Sequence, residues 1–182
     1  MSMQVENTPL AGLRIIYPTV FEDSRGYFYE SFNRDVFFSN GIQDDFLQDN
    51  QSLSQKGVLR GLHFQNPPYA QAKLVRVVLG SVLDIAVDIR KKSPTYGEHF
   101  SLVLSATNKT MFYIPEGFAH GFLVLENNTI FSYKCSRVYN KQSEEGILWC
   151  DEDLNIDWGI KDPVLSDKDK LAQKFKDFVS KF

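Results

Sequence analysis

The segment Gly57-Val58-Leu59-Arg60-Gly61-Leu62-His63-Phe64-Gln65 sets one arginine and one histidine three residues apart in an otherwise apolar run. Its two glycines let neighbouring backbones approach closely. A histidine, with an ordinary pKa of about 6.5, is suited to moving protons near neutral pH. Amid apolar residues it is more often a hydrogen-bonded core side chain, but its companions weigh the other way. Gln48 and Asn50 are spaced to share a strand face, and Lys73 opens the next apolar run. Charged groups are rarely buried without partners, so several of them beside apolar strands point to a cavity for an anionic ligand. In Ile114-Pro115-Glu116-Gly117-Phe118-Ala119-His120-Gly121-Phe122, Pro115 and Gly117 mark a turn into a buried strand. That strand would either bury His120 structurally or bring it to the cavity of His63. Phe131, Tyr133 and Cys135 alternate onto one face. Tyr133 reads as a core residue with a satisfied hydroxyl, or as a positioned proton donor.

Other chemistries find less support. The histidines His63, His99 and His120 form neither an H-x-H pair nor an H-E-x-x-H helix, so no metal is expected. Neither a G-x-x-x-x-G-K-[ST] loop nor a G-x-G-x-x-G turn occurs, which removes the usual signatures of nucleotide hydrolysis and hydride transfer. A net charge of −3 argues against general affinity for nucleic acid or an anionic membrane, where Lys and Arg should dominate. Cys135 and Cys150 alone cannot build the disulfide framework of a small secreted domain. Without a signal peptide or a membrane-length apolar run, a cytoplasmic protein is expected.

The elements that must position these residues are mostly strands. The chain has 182 residues, 43% hydrophobic and 14% aromatic, which suits one domain (1–182) with a β-rich core. No linker or internal repeat divides it. Short β-prone runs are expected at Leu13–Tyr17, Gly26–Phe32, Lys73–Leu79, Val82–Arg90, His99–Leu104, Met111–Ile114, Phe118–Leu125 and Thr129–Tyr139. This many strands suggest a sandwich, jelly roll or barrel. In Val82–Arg90, Leu83, Ile85, Val87 and Ile89 share one face, with Asp84, Ala86, Asp88 and Arg90 on the other. The polar face is either solvated or the wall of a ligand-holding interior. Asn33 is a candidate N-cap for a short helix. Leu171, Phe175, Phe178, Val179 and Phe182 recur at helical spacing behind Ser166, predicting a C-terminal helix packed on the sheet. Ser166 and Asp169 have the spacing of a capping box.

Taken in order, these segments closely resemble the dTDP-4-dehydrorhamnose 3,5-epimerase family. The likeness begins with Phe21-Glu22-Asp23-Ser24-Arg25-Gly26-Tyr27-Phe28-Tyr29-Glu30 and runs through Gln48-Asp49-Asn50, Gly57 to Gln65 and Lys73. It continues with Asp84 to Arg90, Ser93-Pro94-Thr95-Tyr96-Gly97, Ile114 to Phe122, Tyr133-Lys134 and Glu144. It ends with Ile156-Asp157-Trp158 and Leu165-Ser166-Asp167-Lys168-Asp169. Each motif alone is weak; their order and spacing over nearly the whole chain are specific.

The resemblance implies a mainly β, cupin-type jelly-roll barrel with a few short helices, forming a homodimer with no metal and no organic cofactor. It implies inversion of C3 and C5 of dTDP-4-keto-6-deoxy-D-glucose to give dTDP-4-keto-L-rhamnose, between a dehydratase and a reductase in rhamnose supply. By resemblance His63 is the base, Asp169 its partner, Tyr133 the acid on the opposite face, and Lys73 the group facing the enolate oxygen. Asp167 adds a second carboxylate beside Asp169; motif alignment assigns the contact to Asp169. The likeness further assigns Arg25, Glu30, Gln48, Asn50, Arg60, His120, Glu144 and Lys168 to the nucleotide, with Tyr139 stacking on thymine. Arg60 and Arg25 would grip pyrophosphate, and Arg25 and Glu30 would serve the neighbouring subunit's site. A single-carbon epimerase, a non-catalytic nucleotide-sugar-binding barrel and a metal-dependent cupin are the alternative readings.

Overall fold

The computed structural model of the chain describes residues 3–182. Its first half holds β1 (Met3–Asn7), β2 (Arg14–Pro18), β3 (Phe21–Asp23), β4 (Gly26–Phe28), helix α1 (Arg34–Ser39), β5 (Gln48–Ser54), β6 (Leu59–Gln65) and β7 (Lys73–Leu79). The second half adds β8 (Ser81–Asp88), β9 (His99–Ser105), β10 (Met111–Ile114), β11 (Phe118–Val124), β12 (Thr129–Cys135), β13 (Glu144–Gly146) and helix α2 (Asp167–Lys170). Two antiparallel sheets result, one ordered β1-β2-β10-β7-β12-β5 and the other β13-β6-β11-β8-β9. They stack as a cupin-type jelly roll without closing into one hydrogen-bonded barrel. β3 and β4 form a separate hairpin.

The alternation of side chains explains the stacking. Val75, Val77, Phe112 and Phe131 from one sheet meet Val82, Ala86, Phe118 and Phe122 from the other in a shared core. Ile85 and Val87 point the opposite way, into a second cluster with Leu59, Leu62 and Phe64. Ile147, Leu154, Trp158 and Phe178 of the C-terminal segment cover that outer face. The polar face of β8 is therefore interior: Asp84 and Asp88 are both 0% exposed. Asp88 is tied by Arg90, Ser93 and Thr95. Burial works against its charge, but these donors hold the carboxyl down at about 2. This part of the recognised pattern closes the end of a sheet.

The expected C-terminal helix lasts one turn. After Lys170 the chain is extended, with Gln173 bridged to Ile147 and the Gln173 carbonyl accepting from Leu148 N. Asp151 Oδ2 accepts from Phe175 N at 2.8 Å, and only a 3-10 turn follows at Phe175–Asp177. These outside partners replace the helical ladder, and they leave Leu171 and Val179 85% and 73% exposed. The spacing of the aromatics is real, but Phe175 and Phe178 reach the outer cluster from irregular backbone. At the other end Asn33 caps α1 as expected, its side chain accepting from Val36 N.

β6 departs from regular pairing at the glycine. His63 faces His120 across β11, yet Arg60 faces Phe122, so Gly61 and Leu62 together oppose Gly121. Such a bulge turns the strand by one residue. It puts Arg60 and His63, three apart, on the same inward face; a regular strand would separate them. Gly61 has φ +141°, and a Cβ there would meet Gly121 Cα at 2.5 Å. Gly61→Ala is expected to cost about 2–4 kcal/mol through overpacking and backbone strain, measurable by denaturant unfolding. A variant as stable as the parent would show that this close approach is not needed.

Candidate active site

A cavity of about 210 Å³ opens between the sheets, walled by Arg60, His63, Lys73, His120 and Tyr133 together with Phe122, Phe131, Asp169 of α2 and the preceding Ser166. A second cleft of about 90 Å³ shares His63, Lys73 and Tyr133 and extends outward to Gln48, Asn50, Tyr139 and Glu144. His63 belongs to the five-stranded sheet, and Tyr133 and Lys73 to the six-stranded one. The imidazole and the phenol therefore approach the cavity from different walls.

His63 Nε2 lies 2.5 Å from Asp169 Oδ1. Asp169 is 3% exposed. Burial raises its pKa, but the hydrogen bond and charge of His63, the Ser166 hydroxyl and Lys168 outweigh that and hold it below the ordinary carboxylate value. Its contribution to stability is therefore present above the ordinary carboxylate pKa and is lost as pH falls through the lowered one. Asp167, in contrast, is 95% exposed at its side chain and pairs with Lys170. The partner of His63 is thus Asp169.

A second imidazole–carboxylate pair stands next to the first. His120 Nε2 lies 2.9 and 3.1 Å from the two oxygens of Asp84. Burial lowers the pKa of His120, with Asp84 opposing and Lys73 and His63 adding to the fall. Asp84, which the alternation of Val82–Arg90 places on the polar face without a role of its own, thus joins the site through His120. Burial likewise lowers the pKa of Lys73, against the pull of Cys135, Asp84 and Glu144. It raises that of Tyr133, which keeps the phenol protonated at neutral pH.

The outer cleft is ordered by polar contacts. Gln48 Nε2 donates to Asn50 Oδ1 at 3.0 Å, and Gln48 Oε1 accepts from Tyr139 N at 2.8 Å. Tyr139 Oη donates to Glu144 at 2.8 Å, and Lys168 Nζ pairs with the same carboxylate at 2.5 Å. In the wall of the inner cavity, Arg60 donates to Ser54 Oγ at 3.1 Å. Two expected residues are not brought to this cavity within the chain. Arg25 sits on the β3–β4 hairpin, bonded to Asp23, and Glu30 accepts from Asn33. Among the described residues, no three His, Cys, Asp or Glu side chains are grouped to hold a metal ion.

A family model described as dTDP-4-dehydrorhamnose 3,5-epimerase matches residues 7–177. The chain belongs to the dTDP-4-dehydrorhamnose 3,5-epimerase family. A dTDP-4-dehydrorhamnose 3,5-epimerase of Shigella flexneri is 54% identical over 176 residues, covering 96% of this chain and 97% of the relative. A crystal structure of the epimerase from Elizabethkingia anophelis NUHP1 superposes with a TM-score of 0.92 at 52% identity, covering 96% and 97% of the two chains. The dTDP-6-deoxy-D-glucose-3,5-epimerase of Legionella pneumophila Philadelphia 1, solved in complex with dTDP-4-keto-L-rhamnose, has a TM-score of 0.92 at 48% identity, covering 96% and 94%.

Proposed function

We propose that this chain is a dTDP-4-dehydrorhamnose 3,5-epimerase, inverting C3 and C5 of dTDP-4-keto-6-deoxy-D-glucose to give dTDP-4-keto-L-rhamnose. The observation that carries the reading is that His63 and Tyr133 line one cavity from different sheets. Inversion needs that arrangement: a base on one face of the sugar ring and an acid on the other. C3 and C5 both flank the C4 ketone, so removing either proton leaves an enolate whose charge rests on the ketone oxygen. With Nε2–H donating to Asp169, the Nδ1 lone pair of His63 takes the proton, and Asp169 stabilises the imidazolium formed. Lys73 supplies positive charge to the enolate oxygen from a half-buried position on the cavity wall, where a preorganised charge acts more strongly than in water. Tyr133 returns a proton from the opposite face.

Arg60 and His120 take the pyrophosphate side, and Gln48, Asn50, Glu144 and Lys168 hold the nucleoside, on whose thymine Tyr139 stacks. Arg25 and Glu30 serve the site of a second subunit in a homodimer. This fits the β3–β4 hairpin, which leaves Phe21, Tyr27 and Phe28 51%, 56% and 57% exposed, an apolar surface suited to a protein partner. The residues 1–182 act as one domain in the cytoplasm, and no metal or organic cofactor takes part.

The test is incubation with dTDP-4-keto-6-deoxy-D-glucose in D2O, followed by NMR. Deuterium is expected at both C3 and C5, and chelator treatment is expected to leave the rate unchanged. Label at a single carbon would make the chain a single-carbon epimerase. Tight dTDP binding without exchange at either carbon would make it a non-catalytic barrel, and loss of rate to a chelator would overturn the metal-free reading.

A further inference from the structure

We propose that Ser166 is a positioning residue of the epimerisation, fixing the carboxylate that orients the base; this rests on the function proposed above. Ser166 does two things at once. As N-cap of α2 its Oγ accepts from Asp169 N at 3.1 Å, which holds the helical turn. The same hydroxyl donates its proton to Asp169 Oδ2 at 2.8 Å. With His63 on Oδ1, both oxygens of the carboxylate are committed. A carboxylate bound on one oxygen can turn about its terminal torsion, which is broad and weakly restrained; bound on both, it presents one edge to His63. The serine hydroxyl also takes up part of the carboxylate charge, which tunes how strongly Asp169 pulls on the imidazole.

Cap and orienter are coupled because α2 is only four residues long. Backbone bridges at Val164 and Gln173 anchor the segment on either side, and between them the cap sets the turn that carries Asp169 to a strand 106 residues away in sequence. Around His63 the other ionisable groups are Arg60 on its own strand, His120 opposite it on β11 with Asp84 of β8 behind, Lys73 on β7, Tyr133 and Cys135 on β12, Glu144 on β13 and Lys168 on α2. None of these hydrogen-bonds to Asp169 among the described residues, so Ser166 is the lever on that carboxylate.

Three substitutions separate the two tasks. Ser166→Ala removes cap and donor; kcat is expected to fall about tenfold, with KM and dTDP affinity changed by less than about twofold. The acid limb of its kcat profile should move to higher pH, because a carboxylate with one donor fewer favours the imidazolium more strongly. Ser166→Thr keeps both functions and should restore kcat to within about threefold of the parent. Ser166→Gly removes the hydroxyl but leaves a favourable N-cap residue, so the melting temperature should stay close to the parent's. It should be as slow as the alanine variant, with the acid limb shifted in the same direction. NMR titration of the His63 imidazole in the free proteins should show the same upward shift in both, and none in threonine.

An alanine variant that melts earlier but keeps the parental kcat and pH profile, or a glycine variant that turns over like the parent, would reduce Ser166 to a helix cap. If the parent itself exchanges neither C3 nor C5 hydrogen, the epimerase reading fails alone. The imidazole titration then still decides what the serine does to His63.

Discussion

His63→Ala is expected to reduce turnover by at least about 10³-fold while leaving dTDP affinity within about threefold, since general acid–base groups contribute about 10²–10⁴-fold and the base proposed above would start both inversions. The side chain is 2.5 Å from Asp169 and lines the inner cavity. Its removal leaves the outer cleft of Gln48, Asn50, Tyr139 and Glu144 in place, so the nucleotide keeps its contacts. The loss should appear in kcat and in solvent exchange at C3 and C5 alike, because no proton leaves either carbon without a base. Steady-state kinetics, D2O exchange and calorimetric titration with dTDP together check this. Normal exchange in the variant would place the base elsewhere. Parallel loss of dTDP binding would make the histidine a binding residue.

Tyr133→Phe is expected to separate exchange from inversion. The ring, which packs against the shared core, remains, and only the hydroxyl is lost. His63 can still remove a proton and return a solvent-derived one to the same face, so deuterium should enter the starting sugar with retained configuration. Inversion should fall by about 10²-fold or more, the range for loss of a positioned acid. Burial raises the tyrosine's pKa, so the parent's donor is protonated across the neutral range and its loss cannot be repaired by modest pH change. NMR of the recovered sugar distinguishes the outcomes. Inverted product at the parental rate would show that the second proton comes from another group.

Much of this site was legible from residue types and spacing. The alternation of Val82–Arg90 was visible, and the structure decides between its two readings by enclosing Asp84 and Asp88. The paired spacing of Gln48 and Asn50 matches their places on β5. Arg60 and His63 were suspect because of their apolar company, but their shared face was not predictable from a period of two. It depends on a bulge whose evidence is the pairing of Gly61 and Leu62 against one residue. The C-terminal helix was misread because its helical spacing competes with tertiary partners. Asp151 and the backbone at Ile147 and Leu148 satisfy the chain in extended form, and a hydrophobic period cannot register those bonds. Arg25 and Glu30 stand apart from the cavity because Arg25 lies on the exposed β3–β4 hairpin, bonded to Asp23, and Glu30 lies beyond it, bonded to Asn33.

The separation of His63 from Asp169 by 106 positions has a consequence for how the molecule becomes active. Both sheets draw on residues no later than Gly146, so the architecture can be assembled while the orienting carboxylate is still unplaced. Asp169 reaches His63 on the same segment whose Ile147, Leu154, Trp158 and Phe178 cover the outer face. If the pair acts as proposed, a chain cut after Gly146 is expected to exchange no proton at C3 or C5 even where its strands form.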